Sequence, residues 1–99
     1  MSDFHEPVLL AESISALNIK KNGVYVDATF GGGGHSNEIL KKLSKDGRLI
    51  VFDLDEEAIK KNKIIDDRVI FMNKNFRYIK NCVNSLGFFK IDGILVDLG

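Results

Sequence analysis

"YVDATFGGGGHS", Tyr25 to Ser36, carries an alternating apolar pattern straight into four consecutive glycines and then into polar residues that open a helical pattern. A strand-to-helix loop of this kind uses glycine for a tight turn and for close approach of bare backbone to a ligand. It leaves N–H groups without partners at the start of the helix. The segment therefore predicts a βα unit with a binding loop, and the residues on either side extend that unit in both directions.

Two periods alternate along the rest of the chain. "GVYVDA" (23–28) reads as a strand, "SNEILKKL" (36–43) as a helix with Ile39, Leu40 and Leu43 on one face, and "KDG" (45–47) as a turn. "RLIVFD" (48–53) is a nearly continuous apolar strand. "DEEAIKKNKII" (55–65) is a helix, capped by Asp55 and favoured at its positive end by Glu56 and Glu57. "RVIFMN" (68–73) is a third strand. "FRYIKNCVNSLG" (76–87) is a helix with Ile79, Cys82, Val83 and Leu86 on one side, stopped by Gly87, and "IDGILVDLG" (91–99) is a fourth strand. Upstream, Pro7 suits the first turn of a short amphipathic helix over 7–17.

Apolar strands alternating with helices imply an α/β fold, a Rossmann-like doubly wound parallel sheet covered on both faces. Ligands of such sheets sit beyond the carboxyl ends of the strands. Three strands deliver an acid there: Asp27, Asp53 and Asp97.

Composition narrows the function classes. A chain of 99 residues, 44% hydrophobic and 28% charged, is a folded single domain with a thin core. Fourteen basic residues balance fourteen acidic ones, so a nucleic-acid partner has to meet a local patch. One cysteine and two histidines argue against a disulfide framework and a zinc site, and Cys82 reads as a small buried apolar residue. No run reaches the roughly 18 apolar residues of a membrane span, and the N-terminus has no basic signal region. A cytoplasmic protein is expected.

The glycines discriminate among ligands. The dinucleotide fingerprint G-x-G-x-x-G fails in both frames, meeting Ser36 when started at Gly31 and Asn37 when started at Gly32. A phosphate-binding P-loop fails because His35, not lysine, follows Gly34. What remains is acidic-x-x-x-Gly-x-Gly, read as Asp27, Gly31 and Gly33, with Asp53 twenty residues beyond Gly33, the spacing that sets a carboxylate against a ribose diol. This is similar to the glycine loop of S-adenosylmethionine-dependent methyltransferases. A cationic sulfonium ligand tolerates neighbouring acids that would repel a pyrophosphate.

Four blocks, "HEPVLLAES" (5–13), "YVDATFGGGGHS" (25–36), "DLDEEA" (53–58) and "DGILVDLG" (92–99), together resemble the bacterial small-subunit (16S) rRNA cytosine-N4 methyltransferase family. The resemblance implies that backbone at Gly33, Gly34 and His35 approaches the methionine part of S-adenosylmethionine. It implies that Asp53 takes the ribose hydroxyls, that Phe76 lies against adenine, and that Asp97 sits below the reactive end as the catalytic acceptor. It implies that the strands stand in the order 3-2-1-4, and it implies small-subunit ribosomal RNA as partner. The D/N-P-P-Y sequence of other amino-methyltransferases is absent, since Leu98 and Gly99 follow Asp97.

Structural readings stand beside these roles. Asp27 can serve the glycine turn by accepting hydrogen bonds, His35 can pack at a helix start, and Phe76 can be a core aromatic. Asp55 reads as a cap, Phe88 and Phe89 as packing residues. Tyr78 and the lysines at 41, 42, 60 and 61 read as solvated helix faces. The family pattern continues past Gly99, so the chain is expected to be the cofactor-binding half of a methyltransferase, doubtful as a catalyst alone and prone to self-association through an open strand edge. A nicotinamide-binding dehydrogenase half and an inert fragment or interaction module are the rival readings.

Overall fold

The computed structural model describes residues 18–28, 34–61, 64–88 and 90–95. Four short segments rich in β-branched and aromatic residues form its strands, β1 (Val24–Asp27), β2 (Arg48–Phe52), β3 (Val69–Met72) and β4 (Gly93–Leu95). They pair in parallel, as the sequence pattern predicts, and in the order β3-β2-β1-β4 that the methyltransferase resemblance implies. Register is fixed at the centre by Asp27 opposite Val51 on one side and Leu95 on the other.

Each strand sends successive side chains to opposite faces, and both faces are apolar. Tyr25, Leu49 and Val51 point to one side, where Ile39, Leu40 and Leu43 of α1 (Gly34–Lys42) and the residue following it complete a buried cluster. Val26, Ile50 and Phe52 point to the other, onto Cys82 and Val83 of α3 (Ile79–Ser85). Cys82 is a free, buried thiol, as expected. Between these helices in sequence lies α2 (Glu56–Lys61), whose start is capped by Asp55: its Oδ1 accepts the Glu57 N–H at 3.0 Å and its carbonyl accepts the Ile59 N–H at 3.2 Å.

Two boundaries differ from the sequence reading. The helix expected over 55–65 has its last described helical residue at Lys61, and from Ile64 to Asp66 the chain is already non-helical. Asp66 accounts for the change. Its Oδ1 accepts both the backbone N–H and the Nε of Arg68 at 2.9 Å, a local bond set that competes with helix and turns the chain into β3. The helix expected over 76–87 opens as a 3₁₀ turn (Phe76–Tyr78), where the Asn75 side chain accepts the Arg77 N–H at 2.9 Å.

That helix ends as predicted. Gly87 has φ of +86°, its N–H reaches the Asn84 carbonyl at 3.0 Å, and the Phe88 N–H reaches the Val83 carbonyl at 3.2 Å. This pair of bonds is a Schellman motif, and Phe88 joins Val83 in the apolar cluster beneath it. The helix predicted over 7–17 and residues 96–99 of the predicted fourth strand lie outside the described residues.

Candidate functional site

All four strands run the same way, so their carboxyl ends share one edge of the molecule. At the centre of that edge, β1 ends on Asp27, which is completely buried. A carboxylate there needs hydrogen-bond donors, since burial without them is costly. The Ser36 hydroxyl, also fully buried, donates to Asp27 Oδ2 at 2.6 Å. Ser36 sits in the first turn of α1, so this bond ties the tip of the strand to the start of the helix across the glycine segment. On the other flank, the Ala28 N–H donates to the Leu95 carbonyl at 2.9 Å and holds β4 against the same tip.

The first turn of α1 presents Gly34, His35 and Ser36, whose backbone N–H groups lack the intrahelical acceptors available further along. Of the three, Ser36 is buried and His35 half-buried.

Beside β1, β2 ends at Phe52 and Asp53 follows at once. Asp53 is half-buried, and its N–H donates to the Met72 carbonyl of β3 at 3.1 Å. Its Oδ1 accepts the Asp55 N–H at 2.8 Å, a local turn that fixes the carboxylate's direction. From the third strand tip, the Asn73 carboxamide donates to the carbonyls of Asp53 at 3.0 Å and Leu54 at 3.1 Å. The backbone carrying Asp53 is thus braced by the third strand and by its own turn. A carboxylate offers about four lone-pair directions, so one intramolecular bond leaves acceptor capacity for a diol.

Phe76 is half-buried just past β3. Its ring meets Phe52 edge-on, with centroids 5.9 Å apart and planes at 90°. It packs with the cluster of Val26, Ile50 and Phe52, so the core-aromatic reading is correct for part of its surface.

Of the residues singled out from sequence, Gly34, His35, Asp53 and Phe76 are therefore all at the carboxyl edge, on three different strand–helix connections. Gly33 and Asp97 lie outside the described residues. At Asp27 the donor described is the Ser36 hydroxyl, while residues 29–33 of the glycine turn lie outside the described residues. Sequence reasoning missed Ser36 and Asn73 as supports. The signal for Ser36 was a small hydroxyl at a helix start right after the glycines, and for Asn73 a polar side chain closing an apolar strand.

Other ionic contacts lie away from this edge. The Arg68 guanidinium donates from Nη1 to the Leu40 and Leu43 carbonyls at 2.9 and 2.7 Å, closing the C-terminal end of α1, and pairs with Asp66 at 2.7 Å. The side-chain and backbone bonds from Arg68 pull the Asp66 carboxyl down to about 2. Asp92 is also held below the usual carboxylate range, chiefly because its Oδ2 accepts the Val24 N–H at 2.8 Å. Among the described residues no group of His, Cys, Asp and Glu is arranged to hold a metal ion.

Comparison with known proteins bears on the whole arrangement. The sequence matches the profile of the MraW methylase family over residues 2–99. It is 52% identical over 99 residues to the ribosomal RNA small subunit methyltransferase H of Christiangramia forsetii, covering 100% of this chain and 32% of that protein. It is 53% identical over 98 residues to the protein of the same name from Clostridium botulinum, covering 96% and 32% respectively. The chain thus spans about a third of the length of these relatives. Among solved structures, a protein assigned as an rRNA-methylase from Clostridium thermocellum superposes with a TM-score of 0.66 at 25% identity, over 73% of this chain and 45% of that one. One assigned as an O-methyltransferase from Klebsiella pneumoniae superposes with a TM-score of 0.54 at 17% identity, over 93% and 53%, a likeness of fold alone. Sheet order, strand–helix alternation and sequence identity along the full chain agree, and the chain belongs to the MraW methylase family.

Proposed function

We propose that this chain is the cofactor-binding part of an S-adenosylmethionine-dependent methyltransferase acting on the N4 amine of a cytosine in small-subunit ribosomal RNA. The observation that carries the reading is the braced carboxylate of Asp53 on the strand next to a helix start whose first amides have no acceptor within the helix, with no lysine or arginine in the glycine loop. That donor and acceptor set suits a ligand with a ribose diol, a carboxylate and a cationic centre but no phosphate.

In this proposal Asp53 accepts the ribose hydroxyls, the amides of Gly33, Gly34 and His35 receive the methionine carboxylate, and Phe76 flanks the adenine. When bound, S-adenosylmethionine supplies a methyl group activated by its sulfonium. An exocyclic amine is a weak nucleophile because its lone pair is delocalised into the ring, so the protein has to orient its N–H bonds and gather the developing positive charge. Asp97 is assigned that acceptor role and receives the proton that N4 loses as its new bond to carbon forms.

The chain's share of its relatives' length makes it one part of the catalyst, and methylation of RNA by these 99 residues alone is not expected. The setting that fits is the cytoplasm; no helix among the described residues is long and apolar enough to cross a membrane. The outer edge of β4, with Ile94 42% exposed, is assigned to self-association of this chain, since a strand edge is complementary to a second copy of itself.

Calorimetric titration of S-adenosylhomocysteine and of NAD, with Asp53→Ala as control, tests the reading. S-adenosylhomocysteine is expected to bind, NAD to give no heat, and Asp53→Ala to weaken binding by at least about tenfold, the worth of a hydrogen bond to a charged group. Binding of NAD alone, or of neither, overturns it.

A further inference from the structure

Although the chain as a whole is neutral, its charges are not evenly spread. From Arg68 to Ile91 the sequence holds five cationic residues and no aspartate or glutamate. Two of the five are occupied: Arg68 by Asp66 and the end of α1, and Lys90 by Asp92 at 3.6 Å. The other three, Lys74, Arg77 and Lys80, are exposed and pair with no carboxylate among the described residues. They follow one another along the connection that leaves the third strand tip and the outward face of α3, whose inward face is taken by Cys82 and Val83. Such a segment costs self-repulsion and has no structural pairing to offset it.

Aromatic and hydrogen-bonding groups are interleaved with these cations. Tyr78 is 41% exposed, its ring lies 4.9 Å below the Arg77 guanidinium, and its hydroxyl accepts from Arg77 Nη2 at 2.9 Å. Arg77 is thereby tethered to the ring, and its guanidinium is a planar cation on which a base can stack. A hollow of about 290 Å³, lined by Lys80, Val83 and Ile94 among others, runs along α3, and another of about 260 Å³ is lined by Lys74, Tyr78, Asn81, Cys82 and Ser85. The second is walled by a cation, an aromatic ring, an amide and a hydroxyl.

We infer that this acid-free face, Lys74, Arg77, Tyr78 and Lys80 with Asn81 and Ser85, is a binding surface for single-stranded RNA. Single-strand binders combine cations that follow the phosphates with aromatic or guanidinium planes on which bases stack, and both are present here. An anionic protein or lipid surface explains the cations but not the stacked Arg77–Tyr78 pair. The location fits as well. Asn73, which braces Asp53, immediately precedes Lys74, so the cationic face begins where the carboxyl edge ends. The inference rests on the methyltransferase reading for its choice of RNA as ligand. It adds where the strand would cross this part of the protein.

The test is fluorescence anisotropy with a labelled single-stranded oligoribonucleotide of about twelve nucleotides, within the range of single-strand sites, titrated with the 99-residue chain at several salt concentrations. Replacing Lys74, Arg77 and Lys80 together by Gln is expected to weaken binding at least about tenfold. It should lower the slope of log K against log salt by about 2, at roughly 0.7 for each phosphate no longer neutralised. Tyr78→Leu is expected to weaken binding by about tenfold with the slope unchanged. Replacing Lys42, Lys45 and Lys61 by Gln removes the same charge elsewhere and should change neither quantity. The surface is wrong if the unsubstituted chain does not bind RNA, if both triple variants respond equally, or if polyglutamate of matched charge binds as tightly. S-adenosylhomocysteine titrations of the same variants should be unaltered. A chain that binds RNA through this face but not S-adenosylhomocysteine would sink the methyltransferase reading and leave the surface standing.

Discussion

The bond from Ser36 to Asp27 joins two groups that are both fully buried, and its loss is not made good by water. Ser36→Ala is expected to lower unfolding free energy by about 1 to 3 kcal/mol, the penalty for a buried acceptor stripped of a donor, seen as a lower midpoint in urea at unchanged slope. Asp66 shows a second kind of dependence. Its folded carboxyl is held at about 2 by Arg68, below the range of the unfolded chain, so the folded state resists protonating it. The stability this contributes is complete above about pH 4 and is lost as the pH falls towards 2. Arg68→Ala should flatten that part of the stability-against-pH curve, and at neutral pH it should also cost about 2 kcal/mol through the broken bonds to the Leu40 and Leu43 carbonyls. Single residues were the least legible level of the sequence. Asp53 announces itself by spacing from the glycines, whereas the Arg68 bonds join positions 25 and 28 residues apart that no local pattern connects.

Elements were legible where a period and a stop signal agreed. Gly87 was read as a helix end, and its positive φ and Schellman bonds explain why: the chain must turn left-handed there, a conformation that costs other residues about 1 to 2 kcal/mol. Space is not the obstacle, since a Cβ at Gly87 would meet nothing within 4 Å. Gly87→Ala is accordingly expected to cost about 1 kcal/mol, from backbone strain alone. At Gly47 the reason is the opposite. A Cβ there would lie 2.8 Å from the Lys21 carbonyl oxygen and from Leu43, so Gly47→Ala must displace backbone and should destabilise more than Gly87→Ala in the same urea series. The helix expected over 55–65 was overread at its end, where Ile64 and Ile65 lie beyond the last described helical residue, Lys61. In the fold only Ile64 reaches the core, and Ile65 is 96% exposed. Apolar residues count for a helix only when they share a buried side, and Ile65 does not share one with Ile64.

The whole molecule was more legible than its parts, because a parallel sheet covered on both faces writes its burial into every strand. The parallel sheet followed from strand–helix alternation, and the order β3-β2-β1-β4 is the one the methyltransferase resemblance implied. The acid-free run from Arg68 to Ile91 stands in the sequence, but which of its residues face outward is set only once α3 turns its apolar side inward. Two measurements address the molecule as a unit. Cys82 is buried between α3 and the sheet, so its reaction with a thiol reagent should proceed only through opening of that layer and should accelerate in step with urea-induced unfolding. Light scattering at increasing concentration should show association, and Ile94→Lys, which sets a charge on the exposed edge, should return the chain to monomer. A strictly monomeric unsubstituted chain removes the edge proposal.

The central place of β1 carries a consequence for synthesis. It leaves the ribosome before both of its neighbours, β2 on one side and β4, almost seventy residues later, on the other. A nascent chain interrupted before Leu95 keeps the backbone of Tyr25 to Asp27 open along that whole flank, so the central strand is closed to foreign strands only when translation has passed its fourth strand.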